Sequence, residues 1–231
     1  MPEKIIGILG GMGPEATVDL FYKIIKFTPA EKDQDHLRII IDSNPKIPDR
    51  TAAILGKGKD PLPALQETAK KLEKAGADFI IIPCNTAHYF FPSIQKSVQI
   101  PVLNMIEEAA KETQQRIPQI KKVGLLASIG IYKTEIYHRY FKKINIEVVF
   151  PEGKDKEEVM KAIYAVKAGE LSEEVKKNII KIAQKLINRG AETIIAGCTE
   201  IPLILKEGDV PVPLIDPTQI LAKIAIQKAK L

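Results

Sequence analysis

Short apolar runs rich in Ile, Val and Leu recur along the chain, separated by amphipathic stretches. The runs fall at 4–9, 37–42, 78–83, 100–104, 122–127, 146–150, 192–197 and 212–215, with few polar positions inside them. Runs of this length and composition predict strands buried on both faces. Between them, Pro61–Ala75, Ile106–Arg116 and Ser172–Arg189 place apolar residues at helical spacing, which predicts helices. Strands that alternate with helices imply an α/β fold with mainly parallel sheets covered on both faces. Eight strands allow four per half.

An internal repeat supports that division. Gly76-Ala77-Asp78-Phe79-Ile80-Ile81-Ile82-Pro83-Cys84-Asn85-Thr86 aligns with Gly190-Ala191-Glu192-Thr193-Ile194-Ile195-Ala196-Gly197-Cys198-Thr199-Glu200, at a constant offset of 114. Each half opens alike, with Lys4-Ile5-Ile6-Gly7-Ile8-Leu9 and Lys121-Lys122-Val123-Gly124-Leu125-Leu126. Each ends in a strand after proline, at Pro101-Val102-Leu103-Asn104 and Pro213-Leu214-Ile215-Asp216. The expectation is two similar four-stranded α/β domains, 1–104 and 105–216, related by a pseudo-two-fold axis. A final helix, about 217–231, is expected to pack back on the first.

Composition changes this picture little. With 231 residues, 45% hydrophobic and 27% charged, the chain can bury a substantial core. No apolar run approaches the roughly 18 residues that would cross a bilayer. The opening residues lack a signal-peptide pattern, so a cytoplasmic location is expected. The net charge of +5 is spread among Glu-flanked lysines, without the clustered arginines and aromatics of a nucleic-acid surface. A small anionic partner suits it better.

Candidate chemistry concentrates at the two cysteines, Cys84 and Cys198. Each is expected at the carboxyl end of a buried parallel strand, the edge where ligands bind in open α/β sheets. A helix start beside each would favour a thiolate, and Asn85, Thr86 and Thr199 read either as caps or as carboxylate contacts. If a two-fold relation turns both thiols toward one carbon, one removes a proton and the other delivers one to the opposite face. That inverts a stereocentre without a redox cofactor. The alternatives are inert core thiols and a metal site, since Cys84 and His88 stand four apart and Cys198 would be a third ligand. His88 reads as a surface or supporting residue.

Pro83-Cys84-Asn85-Thr86-Ala87-His88, Gly197-Cys198-Thr199-Glu200 and Gly7-Ile8-Leu9-Gly10-Gly11-Met12-Gly13-Pro14 together resemble the aspartate/glutamate racemase superfamily, the aspartate racemases most of all. Ile47-Pro48-Asp49-Arg50-Thr51-Ala52, Val166-Lys167-Ala168-Gly169 and Pro213-Leu214-Ile215-Asp216-Pro217 carry the same resemblance. It implies two α/β domains with the site in the cleft between them, commonly a homodimer, and no pyridoxal phosphate, other cofactor or metal. It implies that Cys84 and Cys198 are the acid/base pair acting on a small dicarboxylic amino acid. It further implies that Arg50 and Lys167 hold carboxylates, that Asn85, Thr86 and Ala87 wrap the other end, and that Met12 lines the site. Glutamate racemases have Asp-Ser-Gly at the opening and His after the second Cys-Thr, whereas this chain has Gly-Gly-Met-Gly and Glu200; aspartate is favoured. One stretch departs from the pattern: Ser128 keeps a hydroxyl, but Ile131 stands where the family has threonine.

Read without the resemblance, several of these residues have plain alternatives. Arg50 suits a bidentate carboxylate contact or a surface pair with Asp49, which in turn reads as a residue that orients Arg50 or tunes a thiol. Lys167 suits a helix C-terminus. Glu200 is a first-turn helix acid or a partner for the Cys198 proton. Gly11-x-Gly13-x-x-Ala16 after a strand fits a dinucleotide fingerprint, the basis of a rival nicotinamide-dependent oxidoreductase. Against that rival, Pro14 stiffens the loop, no acidic residue stands at the expected distance, and the duplicated cysteines go unexplained. The remaining alternatives are a dicarboxylate-binding protein without catalysis, a glutamate racemase, an unsaturated-diacid isomerase, and a hydantoin racemase, which two carboxylate-binding cations disfavour.

Overall fold

A computed structural model describes residues 3–231. The first two positions of the expected first domain lie outside the described residues. In chain order the elements are β1 (Ile6–Gly10), α1 (Pro14–Phe27), β2 (Ile39–Ser43), α2 (Arg50–Ile54), α3 (Leu62–Lys74), β3 (Phe79–Ile81), a 3₁₀ turn (Thr86–Phe90), α4 (Phe91–Gln95) and α5 (Met105–Arg116). There follow β4 (Lys122–Ala127), α6 (Ile129–Thr134), α7 (Ile136–Lys142), β5 (Glu147–Val149), α8 (Lys154–Lys167), α9 (Glu173–Asn188), β6 (Ile194–Gly197), α10 (Ile201–Ile204), β7 (Leu214–Ile215) and α11 (Pro217–Ala229). The chain forms two compact units. One runs to Glu108 and resumes at Thr218–Leu231; the other is Ala109–Pro217.

Both sheets are parallel and share one plan. The first has the order β2-β1-β3 and the second β5-β4-β6-β7. The expected fourth strand of the first half shrinks to a single bridge, Ile80 with Val102. The amide of Ile80 donates to Pro101 O and Leu103 N donates to Ile80 O, after which the chain turns into α5. Pro101 has no N–H to extend the ladder, and the helix begins two residues past Leu103. In the second half Pro213 plays the same part, and β7 is only two residues long.

Alternation along the strands sets the layers. In the first unit Ile6, Ile8, Phe79 and Ile81 pack with Leu20 and Ile24 of α1 and Leu221, Ala225 and Ile226 of α11. Leu9, Ile80 and Ile82 belong to the opposite layer with Leu65, Ala69 and Leu72 of α3 and Ile94 of α4. In the second unit Ile194 and Ala196 pack with Val159, Ile163 and Val166 of α8 and Ile179, Ile182 and Leu186 of α9. Period-2 parity therefore carries Ile80 and Ile82 on to Cys84, and Ile194 and Ala196 on to Cys198; each cysteine belongs to the same apolar cluster as the two residues before it in that series.

The repeated Gly-Ala-acid triplets make the joints before β3 and β6. The helices end at Gly76 and Gly190, with φ of 93° and 92°. There the amides of Ala77 and Ala191 donate back to Leu72 O and Leu186 O, so carbonyls left over at the helix ends are satisfied. The next residue ties the sheet: Asp78 accepts from Ile5 N at 2.6 Å, and Glu192 accepts from the amides of Lys121 and Lys122 at 2.8 and 3.0 Å. Two strands in each unit are thus fixed in register at the end opposite the cysteines.

Candidate functional site

In the first unit the expected residues come from three loops at the carboxyl end of the sheet. Gly11, at φ 88°, lets the first loop press against the second: a Cβ there would lie 2.3 Å from the carbonyl carbon of Asn44. This close approach sets up Arg50, the first residue of α2 and only 8% exposed. Its Nη1 donates to Ile47 O at 3.0 Å and Pro48 O at 2.8 Å, and its Nη2 donates to Met12 O at 3.3 Å. The Nε–H is buried with no hydrogen-bond partner among the described residues. Three of the five guanidinium donors are thus held by backbone. A carboxylate is the ligand whose paired oxygens suit the donors that remain.

Asp49 does not pair with Arg50 as a surface ion pair. Its carboxylate caps α2, accepting from Ala52 N at 2.6 Å, which fixes the turn that buries the arginine. Met12 is buried in the apolar cluster that also contains Cys84 and Ala87.

Cys84, Asn85, Thr86, Ala87 and His88 are all buried. The segment after Cys84 is a 3₁₀ turn followed by the five-residue α4, and Asn85 makes no side-chain cap on it. The helix start expected beside Cys84 is a 3₁₀ turn here, with the α-helix beginning only at Phe91. In the second unit Cys198 leads into the four-residue α10, where again no side chain caps the start. Pro92 and Pro202 stand in the first turns of α4 and α10, where a proline is tolerated because its missing N–H would have no helical partner.

His88 is an interior residue, 1% exposed. Its Nε2 accepts from Met105 N at 3.1 Å. The tautomer that accepts there carries its proton on Nδ1, which then donates to Cys84 O, 2.8 Å away. Burial pushes its pKa down to about 4, against weaker upward contributions from backbone hydrogen bonds. With both nitrogens engaged, His88 is not available as a metal ligand beside Cys84. The four-residue spacing was legible in the sequence, but its use for backbone support was not.

In the second unit the arrangement is ionic. The Cys198 thiol donates to Glu200 Oε2 at 2.8 Å, and Thr199 Oγ1 donates to the same oxygen at 3.3 Å. Glu200 is 4% exposed. Lys167, the last residue of α8, brings Nζ to 3.9 Å from Glu200 Oε1. Ser128 caps α6, accepting from Ile131 N at 3.4 Å, and Ile131 is buried in the unit. Among the described residues, no group of three or more His, Cys, Asp or Glu side chains is placed to hold a metal ion.

The sequence model of the Asp/Glu/hydantoin racemase family matches residues 9–225. The chain belongs to that family. It is 31% identical over 229 residues to the broad specificity amino-acid racemase RacX of Bacillus subtilis, covering 96% of each chain. The solved aspartate racemase of Picrophilus torridus superposes with a TM-score of 0.88 at 34% identity, over 98% of this chain and 94% of that one. A glutamate racemase from Francisella tularensis, solved with D-glutamate, shares the fold at TM-score 0.73 and 22% identity, over 98% and 81% of the two chains. Membership makes this chain an amino-acid racemase with the family's α/β architecture. Among the described residues no helix is long and apolar enough to cross a membrane.

Proposed function

We propose that this racemase interconverts L- and D-aspartate by a two-base mechanism in which Cys84 and Cys198 act on one α-carbon. The observation that carries the reading is the matched placement of the thiols. Each follows the corresponding strand of its sheet, β3 or β6, at equivalent parity, and each is buried at the carboxyl end of the sheet, where α/β proteins bind ligands. One sulfur takes the α-proton as the C–H bond breaks. The other gives its proton to the opposite face as the new C–H bond forms. No electron changes hands, so the reaction needs no redox cofactor.

Glu200 supports an order for these steps. A thiol that donates to a carboxylate holds its proton on sulfur, so Cys198 starts as the acid and Cys84 as the base. Arg50 is the carboxylate anchor, supported by a buried Nε–H that has no partner among the described residues. Lys167 and Thr199 flank the acid thiol, and Asn85, Thr86, Ala87 and Met12 enclose the other. Fixed donors in a dry site stabilise the carbanion, which a thiol alone is too weak a base to generate.

Aspartate is favoured by the 34% identical aspartate racemase. A second reading has an observation of its own: the similarity to RacX, together with Ile131 in place of the family threonine, favours a wider range of amino acids. Incubating single enantiomers of aspartate, glutamate and neutral amino acids in deuterated water decides. Aspartate should gain deuterium at the α-carbon together with the opposite hand. Turnover of neutral amino acids at comparable kcat/KM would replace aspartate with the broad reading. Absence of exchange in every substrate would end both.

The assembly we propose is a homodimer formed through α1. Val18, Phe21, Tyr22 and Ile25 lie on one face of that helix, with Val18 66% and Tyr22 60% exposed. Light scattering of the wild type and of Val18→Glu/Tyr22→Glu tests it; equal masses for both proteins would refute the assignment.

A further inference from the structure

We propose that His88 is a positioning residue whose neutral imidazole ties the backbone of Cys84 to the start of α5 and thereby aims the Cys84 sulfur. This rests on the reading of Cys84 as an acid/base group. Cys84 lies beyond the β3 ladder, where its amide donates only a tight-turn bond to Ile82 O, at 2.8 Å. In an α-helix its carbonyl would receive the amide of residue 88. Here the 3₁₀ turn sends that amide to Asn85 O instead, and the imidazole side chain takes the Cys84 carbonyl.

The other end of the bridge is equally defined. The first four amides of α5 are all accounted for. Met105 N donates to His88 Nε2, Ile106 N and Glu107 N donate to Asn104 Oδ1, and Glu108 N donates to Asn104 O. The ring thus completes the cap of a twelve-residue helix. Phe91 stacks nearly parallel to the ring at 6.3 Å between centroids, and burial keeps it neutral. Backbone hydrogen bonds to Cys84 and Leu103 act in the opposite direction but are outweighed by burial.

Two amides separate the two halves of this bridge. Asn at this position carries its amide near the ring Nδ1 and keeps a donor for Cys84 O. Gln reaches the Nε2 position and keeps an acceptor for Met105 N. Each variant deletes one hydrogen bond of similar kind, so a merely structural role predicts similar losses.

The test compares kcat, KM and thiol reactivity in His88→Asn and His88→Gln. His88→Gln should lower kcat by about 10²-fold with little change in KM, the loss expected from a misplaced reacting group, while His88→Asn falls much less. In a Cys198→Ser background, where Cys84 is the one remaining thiol, iodoacetamide should alkylate His88→Gln at a rate differing about fivefold or more from His88→Asn. Equal kcat in the two variants, or equal alkylation rates, would overturn the proposal. If the wild type racemises no amino acid, the two-cysteine reading fails on its own, and the alkylation rates still decide whether His88 positions the sulfur.

Discussion

Lowering the pH from 7 to 4 should remove about 3 kcal/mol of stability through His88 alone. Burial lowers its pKa from 6.5 to about 4, and a tenfold change in proton affinity is worth about 1.4 kcal/mol. Between those values the unfolded chain binds a proton that the folded protein refuses, so stability falls as pH falls. The contribution is fully present above about 6.5, lost progressively on the way down, and constant below about 4. By pH 5 the loss is about 2 kcal/mol, which for an m-value of about 2 kcal/mol/M lowers the urea midpoint by about 1 M. The perturbation is His88→Asn, which removes the titrating ring but leaves the other two histidines and every carboxylate in place. Urea unfolding of both proteins at pH 7, 6 and 5 gives two profiles whose difference belongs to residue 88. The variant is expected to be less stable at pH 7 and to close most of that gap by pH 5. Parallel profiles would refute the reasoning. So would a His88 imidazole resonance that titrates near 6.5 in the folded protein.

Other consequences are equally direct. Arg50→Lys should reduce kcat/KM by about 10²-fold, because an ammonium cannot hold three backbone oxygens and present a paired edge to a carboxylate; racemisation followed by circular dichroism checks it. Glu200→Gln should slow turnover about tenfold or more with little change in melting temperature, since the amide oxygen can still accept from Cys198 and Thr199; a parallel loss of stability and rate would count against a role at Cys198. Leu72→Ala should destabilise by about 2–5 kcal/mol in urea, because Leu72 is fully buried on the inner face of α3 and little can collapse into the space.

The sheets were legible because both faces of β3 and β6 are covered. Phe79–Ile82 and Ile194–Gly197 read as unbroken small and apolar runs, and no solvent-facing position interrupts them. The repeat was legible for a mechanical reason: Gly76 and Gly190 end helices, and Asp78 and Glu192 pin neighbouring strands, so each triplet is needed twice. Local spacing failed where the decisive partner arrives from elsewhere. Cys84 and His88 look like one face of a helix. They meet instead through a ring and a carbonyl, because α5, seventeen residues beyond His88, supplies the other donor. Asp49 looks like the natural partner of Arg50, yet the free amide of Ala52 claims it, and the arginine turns inward to carbonyls that the neighbouring loops leave open. Lys167 looks like an ordinary helix-terminal base until the chain returns with Glu200. In each case sequence names the participants, while the hydrogen-bond assignment depends on which buried donor or acceptor would otherwise lack a partner. That rule also gives the thiols different surroundings. The Cys198 thiol donates to a buried carboxyl group of its own unit, while Cys84 is held from behind through its backbone carbonyl.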